Sequence, residues 1–380
     1  MSRRRVWMEI SLLEHWGPKP HGIPRVSQNV FLQSLRKTDV QHFFYDRQLN
    51  KFVIPRNVEY FVALAAGKIS WETDAPPVGD DLADHLGIED RVLFSEVGWD
   101  HPQYLTAVQA LRRQFATAVF HYLLCDLIPI KFPHFFDFEF GERARSFMRA
   151  LPSFCDRYVC ISESTARDVH ALLAAHADTR AFKLGSDVHS GTERSVATRT
   201  HSKPYVLSVG TLEIRKNHIL LYFVWRRLAE ALGERCPELI LVGRPGWIAG
   251  DVYTLFQTDP MVNKLVRIRH DVTDEQLADL IRGCEFSVFP SFYEGWGLPA
   301  SESLYYGKVC VTSNTSSLPE INPCPELMFD PYNHMEAYEV IRSLIEHPEK
   351  VRSYEHQIAR RYKAQTWDDS FDDLHAIVEA

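Results

Sequence analysis

The sequence has no long apolar run, and its first segment lacks the pattern typical of a signal peptide. No stretch approaches the roughly 18 consecutive apolar residues of a transmembrane helix. Glu9 and Glu14 interrupt the first apolar segment, which argues against a signal peptide. We therefore expect a cytoplasmic protein. The basic residues Arg3, Arg4 and Arg5 leave two interpretations open, a peripheral contact with the anionic inner face of a membrane or an ordinary solvated N-terminus.

Several signatures of catalysis and metal binding are also missing. There is no GxxxxGK(S/T) phosphate loop, no GxSxG nucleophile turn, no HExxH and no paired CxxC. The seven cysteines show no metal-ligand spacing, which indicates a reducing compartment without a disulfide framework. A net charge of −8 does not favour nucleic acid as a partner. The nearest approach to an Asp-x-Asp metal motif, Asp137–Glu139, is typical of a surface loop, so we expect no metal and no cofactor.

Short apolar runs alternate with segments of helical periodicity along the whole chain. This pattern predicts an α/β protein with parallel, doubly wound sheets. The polar, Ser/Thr-rich stretch 188–203 predicts a linker between an N-terminal domain, residues 1–187, and a C-terminal domain, residues 204–362. The predicted strands are Arg5–Ile10, Asp39–Tyr45, Arg91–Val97, Val119–Cys125, Arg157–Ile161, Tyr205–Val209, Leu239–Val242, Val266–Arg269, Phe286–Phe289 and Lys308–Thr312.

The segment Phe289–Gly307, FPSFYEGWGLPASESLYYG, carries the clearest chemistry. A buried strand, a loop with two glycines and a helix opening at Leu298 would present free N–H groups and a positive dipole end to an anion. Glu294 and Glu302 flank this anion site, and carboxylates there suit hydroxyl groups better than phosphate. A ligand that has phosphates between polyhydroxyl rings is a nucleotide sugar, so the segment predicts a binding site for a nucleotide sugar.

The Glu-x7-Glu spacing within FYEGWGLPASES is similar to the signature of retaining glycosyltransferases of family four, which have the GT-B fold of two Rossmann-like domains facing a central cleft. The resemblance implies that Glu294 contacts the donor sugar and Glu302 the ribose hydroxyls. It assigns donor contacts to the intervening backbone amides of Gly295, Trp296, Gly297 and Leu298.

Three further motifs follow the same resemblance. The first is SVGTLEIRKNH, which includes Gly210 and Thr211, and there the resemblance implies that Arg215 and Lys216 bind the donor diphosphate. The alternative is that Arg215 and Lys216 are a solvated basic pair. Many family members have Gly-Arg where this chain has Gly210–Thr211. LILVGRPG supplies Gly243, and VRIRHDVTDEQL resembles the base-binding strand, with contacts near Arg269 and His270.

The first half resembles the family more loosely. HGIPRV places Gly22 and Arg25 in a loop for donor phosphate or acceptor, or in an ordinary turn that begins a helix. VFHYLLCDLIP keeps Asp126 but has Cys125 where the family has histidine. Residues 363–380 resemble the family's last helix, which crosses back to the N-terminal domain.

The resemblance implies metal-independent transfer of a sugar, with retention, from a nucleotide diphosphate to a glycan or lipid-linked glycan. Arg215 and Lys216 would stabilise the leaving group while Glu294 positions the sugar. The motifs resemble those of bacterial surface-polysaccharide enzymes, which include lipopolysaccharide enzymes. This resemblance favours GDP-mannose as the donor, and UDP-sugars and dTDP-rhamnose stay open as alternatives. The alternatives are a nucleotide-sugar epimerase of similar fold and a non-catalytic nucleotide-sugar-binding protein.

Overall fold

The computed structural model describes residues 4–15, 22–70, 76, 78–95, 97–186, 203–246 and 250–380. The chain divides into two compact units. Unit 1 comprises Met1–Pro133, Phe138–Gly185 and Thr366–Ala380, and unit 2 comprises His134–Asp137 and Ser186–Gln365. The predicted linker lies outside the described residues except for Lys203. None of the helices described is both long and apolar enough to cross a bilayer.

Unit 1 contains an eight-stranded sheet in the order β4-β3-β2-β1-β5-β6-β7-β8. Its strands are β1 (Val6–Glu9), β2 (Val40–Asp46), β3 (Lys51–Pro55), β4 (Val78–Asp81), β5 (Arg91–Phe94), β6 (Val119–Leu124), β7 (Arg157–Cys160) and β8 (Asp178–Ala181). The α-helices between them are α1 (Ile23–Ser34), α2 (Val58–Ala65), α3 (Tyr104–Gln114), α4 (Ile128–Lys131), α5 (Phe138–Ala150) and α6 (Glu163–Leu172).

The sequence pattern predicts a parallel sheet, but the sheet of unit 1 is parallel only in part. The strands β2, β3 and β4 pair antiparallel, whereas the pairs from β2 through β1 to β8 are parallel. A tight turn makes the reversal possible. The Asp46 carboxylate accepts the N–H groups of Gln48 and Leu49, and Asn50 adopts a left-handed conformation with φ 52°.

Aromatic packing holds the antiparallel extension to the parallel part of the sheet. Phe52 of β3 meets Phe43 of β2 edge to face at 5.6 Å between ring centroids, and it meets Phe94 of β5 in the same way at 5.7 Å. All three rings are at least 96% buried. Edge-to-face pairs of this kind stabilise a core beyond the area they bury.

Unit 2 contains a six-stranded sheet whose recorded pairs are all parallel. Its strands are β9 (Tyr205–Val209), β10 (Glu238–Val242), β11 (Val266–Arg269), β12 (Ser287–Phe289), β13 (Cys310–Ser313) and β14 (Met328–Phe329). The order β11-β10-β9-β12-β13-β14 is that of the Rossmann fold, in which ligands bind where the strand order reverses. In this sheet the order reverses between β9 and β12.

The helices of unit 2 are α7 (His218–Leu232), α8 (Gly250–Thr258), α9 (Pro260–Asn263), α10 (Asp274–Gly283), α11 (Leu298–Tyr305), α12 (Leu318–Ile321), α13 (His334–Glu346) and α14 (Pro348–Arg361). The capping box predicted for α10 is present, with Thr273 accepting from the Gln276 N–H and Gln276 accepting in return. The last helix, α15 (Trp367–Glu379), belongs to unit 1, where His375 contacts the Asp39 carboxylate at 3.1 Å.

A neutral histidine is buried in strand β6 of unit 1. His121 of β6 is fully buried, and neither ring nitrogen has a hydrogen-bond partner among the described residues. Burial, together with the cations Arg157 and Arg91, lowers its pKa to about 3. Because the unfolded chain takes up a proton near pH 6.5 and the folded protein does not, this histidine costs stability as the pH falls.

Replacing His121 with leucine should therefore make the protein less sensitive to acid. Between pH 7.5 and 5.5 the free energy of unfolding should fall by about 1.4 kcal/mol less in H121L than in the wild type. Urea denaturation at the two pH values measures this difference, with exposed His176→Gln as the control. An equal loss in H121L and wild type would contradict the assignment.

Candidate functional site

Two loops of unit 2 meet where its strand order reverses. The first follows β9 and contains a single 3-10 turn, Ile214–Lys216; the second follows β12 and leads into α11. The Phe292 N–H of the second loop donates to the Arg215 carbonyl of the first at 2.9 Å. Asn217, which has φ 56°, donates its side-chain amide to the Pro290 carbonyl at 3.1 Å. The two loops therefore form one joined structure.

Four charged side chains form a buried cluster between these loops. The Glu294 carboxylate contacts Arg215 NH1 at 2.7 Å and Lys216 Nζ at 2.6 Å. Arg215 also contacts the Glu213 carboxylate through NH2 at 2.6 Å. None of the four side chains is more than 18% exposed. We name Glu213, Arg215, Lys216 and Glu294 the charge cluster.

The charge cluster fixes the ionisation of Glu294. Burial alone would raise the pKa of this carboxyl, but the attraction of Arg215 and Lys216 outweighs burial and lowers the pKa to about 2. Burial lowers the pKa of the Lys216 ammonium, and the attraction of Glu294 opposes that change. Glu294 is therefore a carboxylate at neutral pH, able to accept hydrogen bonds but not to donate a proton.

Hydroxyl groups of the loop after β13 hold the backbone of the Glu294 loop. The Ser317 hydroxyl shares its one proton between the Trp296 carbonyl at 2.5 Å and the Glu294 carbonyl at 3.1 Å. The Ser316 hydroxyl accepts the Glu294 N–H at 2.9 Å. These contacts fix the peptide groups on either side of Glu294, so the carboxylate is presented from a rigid backbone.

The predicted glycine loop and helix are present beyond Glu294. Gly297 is the N-cap of α11 and has φ 115°, a conformation that side chains disfavour. Gly295, Trp296 and Gly297 are buried, and Leu298 is partly exposed as the first helical residue. Glu302 lies one turn into α11 and is only 1% exposed. The structure therefore places both glutamates of the Glu-x7-Glu spacing at the same end of the sheet.

The predicted residues of the neighbouring strands share that edge. The Gly210 N–H donates to the Val242 carbonyl, and the Gly243 N–H donates to the Arg269 carbonyl, each at 2.9 Å. The ring of His270, which is exposed, donates from Nδ1 to the Gly243 carbonyl at 2.8 Å. Gly210, Gly243, Arg269 and His270 are therefore brought together at the carboxyl ends of β9, β10 and β11.

The predicted residues of unit 1 lie after two of its own strands. Gly22 is the N-cap of α1, which follows β1, and Arg25 lies in the first turn of that helix. Asp126 follows β6, and its carboxylate accepts the Ile128 N–H at 3.0 Å. Cys125 is buried, and its pKa is raised by burial, which keeps the thiol neutral. His21 lies outside the described residues.

Known proteins resemble the chain in sequence and in fold. Residues 191–361 match the family model "Glycosyl transferases group 1". The serotype-specific mannosyltransferase WbdA of Escherichia coli is 24% identical over 326 residues, which cover 79% of this chain and 37% of WbdA. O-antigen chain mannosyltransferase B of the same species is 37% identical over 127 residues, 33% of each chain. The chain thus spans little more than a third of WbdA.

Solved structures extend the likeness to both units. Sucrose-phosphate synthase of Thermosynechococcus elongatus has a TM-score of 0.68 at 16% identity, over 99% of this chain and 98% of that chain. HepE of Anabaena, solved in complex with UDP-glucose, has a TM-score of 0.64 at 15% identity, over 99% and 100%.

Residues 191–361 belong to the group 1 glycosyl transferases, and the chain has the GT-B fold. The resemblance derived from the sequence motifs is confirmed at this level. The roles assigned to individual residues stay predictions.

Two buried carboxylates of the chain escaped the sequence analysis. Glu9, at the end of β1, accepts the Ser95 N–H at 3.0 Å and the Tyr104 hydroxyl at 2.7 Å. Glu213 belongs to the charge cluster. The available signal was positional, because each glutamate lies at or just after the carboxyl end of an apolar strand, where open α/β sheets bind their ligands.

Replacing Gly297 with alanine should destabilise the protein more than the same change at Gly307. Both glycines have positive φ, which costs alanine about 1–2 kcal/mol. A Cβ at Gly297 would in addition lie 2.7 Å from Leu318 Cδ2, whereas at Gly307 it would meet nothing within 4 Å. We expect G297A to lose about 1–3 kcal/mol more than G307A in chemical denaturation. Equal losses would show that the loop yields to the added methyl group.

Proposed function

We propose that the chain is a retaining glycosyltransferase that moves a sugar, with mannose from GDP-mannose as our choice, to a hydroxyl of a glycan or lipid-linked glycan in polysaccharide biosynthesis. The observation that carries this proposal is the charge cluster at the reversal point of unit 2. Two cations, Arg215 and Lys216, each lie within 2.7 Å of the Glu294 carboxylate there, next to the glycine loop that leads into α11.

The cluster suits a ligand that has a diphosphate beside a sugar. Arg215 and Lys216 supply positive charge for the phosphates, and the ionised Glu294 supplies acceptor atoms for sugar hydroxyls. The N-terminus of α11 adds free N–H groups and a positive dipole end. Low exposure strengthens each of these interactions, because little water screens them.

The reaction follows from these charges. The bond between the anomeric carbon and the donor phosphate oxygen breaks, and its electron pair stays on the diphosphate, where Arg215 and Lys216 stabilise it. The acceptor oxygen forms the new bond to the anomeric carbon on the same face. Its proton passes to a phosphate oxygen of the leaving group. Glu294 positions the sugar throughout and does not act as a general acid, because a carboxyl with a pKa of about 2 is ionised at neutral pH and has no proton to donate.

The choice of mannose is supported by the names of the relatives. WbdA, O-antigen chain mannosyltransferase B and an α-(1→4)-mannosyltransferase of Mycolicibacterium hassiacum, 32% identical over 95 residues, are all named as mannosyltransferases. The Anabaena protein HepE was solved with UDP-glucose, so UDP-sugars belong in any test. For a lipid-linked acceptor, we place the enzyme at the cytoplasmic face of a membrane.

Thermal unfolding in the presence of GDP-, UDP-, dTDP- and ADP-sugars should identify the donor. A ligand at 100 times its dissociation constant adds about 2.7 kcal/mol, which raises Tm by roughly 5–10 °C. We expect GDP-mannose to give this shift and R215A and E302A to lose it. Partly exposed Arg342, which pairs with Glu346, provides the control variant R342A.

The outcomes of this experiment separate the alternatives. A shift with GDP-mannose and transfer of mannose to an acceptor would support the proposal. Binding without transfer to any acceptor, and without change in the donor, would favour a non-catalytic binding protein. Release of an altered nucleotide sugar would favour an epimerase. The absence of a shift with every donor, in a folded protein, would contradict a nucleotide-sugar site.

Transfer should proceed without a divalent metal, because Arg215 and Lys216 provide the positive charge that a metal would give the leaving diphosphate. We expect the rate to change less than about twofold after treatment with EDTA and restoration with Mg²⁺ or Mn²⁺. A rate that falls at least about tenfold with EDTA and returns with metal would contradict this expectation.

NMR of the product linkage, run in parallel, tests retention at the anomeric carbon.

A further inference from the structure

The proposed reaction leaves one member of the charge cluster without a role. Glu213 contacts Arg215 NH2 at 2.6 Å, and its side chain is 11% exposed. Arg215 presents its other terminal nitrogen, NH1, to Glu294 at 2.7 Å and to the Tyr293 carbonyl at 3.0 Å. Both terminal nitrogens of the guanidinium are therefore held, and Glu213 holds the one that does not contact Glu294.

The position of Glu213 is itself built by the neighbouring loop. Leu212 N–H donates to the Arg244 carbonyl and Gly246 N–H donates to the Leu212 carbonyl, both at 2.8 Å. A Cβ at Gly246 would clash with Thr211 Cγ2 and would lie 3.2 Å from Glu213 Cβ and 3.3 Å from Glu213 Oε2. Glycine at this position therefore lets the two loops pack closely beside Thr211 and Glu213.

Glu213 also changes the charge of the site. With Glu213 and Glu294 ionised, the two carboxylates balance Arg215 and Lys216, and the charge cluster is neutral. Without the charge of Glu213 the cluster would carry one net positive charge. In a poorly solvated site a single charge alters the binding of a polyanion strongly, because little water screens it.

We infer that Glu213 is a positioning residue that orients Arg215 toward Glu294 and offsets one positive charge, so that the nucleoside diphosphate formed in the reaction is held weakly enough to depart. The inference rests on the proposed function. It concerns product release, which limits the turnover of many enzymes.

The variant E213Q tests the charge, since glutamine keeps an oxygen for the Arg215 N–H but removes the negative charge. We expect E213Q to bind GDP or UDP, whichever the wild type binds, about tenfold more tightly in calorimetric titration. The gain should shrink as NaCl is raised. Turnover with the nucleotide sugar should fall together with KM, because the product leaves slowly. E213D, which keeps the charge, should bind the nucleotide as the wild type does.

Glu238 provides the matched control. It pairs with Arg267 at 3.3 Å in the same sheet, but at the amino end of β10, the end opposite to the charge cluster. E238Q should therefore leave nucleotide affinity unchanged. Unaltered or weaker binding by folded E213Q, with wild type binding normally, would overturn the inference. Failure of the wild type to bind either nucleotide would instead count against the proposed function.

Discussion

The attraction between Glu294 and the two cations Arg215 and Lys216 is the interaction on which the site depends. It joins a loop after β9 to a loop after β12, so it spans the point at which the strand order reverses. Removing a partner from such a buried pair leaves an uncompensated charge, which is far more costly than losing a surface ion pair. The cluster therefore serves the fold of unit 2 as well as its proposed chemistry.

The surrounding backbone explains how three charged groups stay in register without a ligand. Asn217 adopts a left-handed conformation at the start of α7 and donates to the carbonyls of Pro290 and Pro331. Ser316 and Ser317 hold the peptide groups around Glu294. Few rearrangements remain to be made when a ligand binds, which is the condition for effective electrostatic stabilisation of a leaving group.

Local patterns in the sequence predicted much of the fold. The strands Tyr205–Val209 and Val266–Arg269 were predicted with the observed bounds. The first is a short, largely buried apolar run, as expected for a parallel strand covered on both faces. The antiparallel strands β3 and β4 were missed. β4, VGDD, is short and half acidic, and the pairing of β3 depends on a turn at Asp46–Asn50 whose signal is a side-chain hydrogen bond rather than a Gly or Pro. Glu294 was predicted from the Glu-x7-Glu spacing and Arg215 from the motif SVGTLEIRKNH, but the pairing of the two was not predicted, since they are far apart in sequence.

The division of the chain has a consequence for biosynthesis. Unit 1 is completed by α15, which is separated from the rest of that unit by nearly the whole of unit 2. A ribosome releases the chain from its N-terminus, and domains generally fold in that order. Here the first sheet to emerge must wait for its last helix until the second sheet has been synthesised. Unit 2 is nearly continuous in sequence, so it can reach its final structure before unit 1 does.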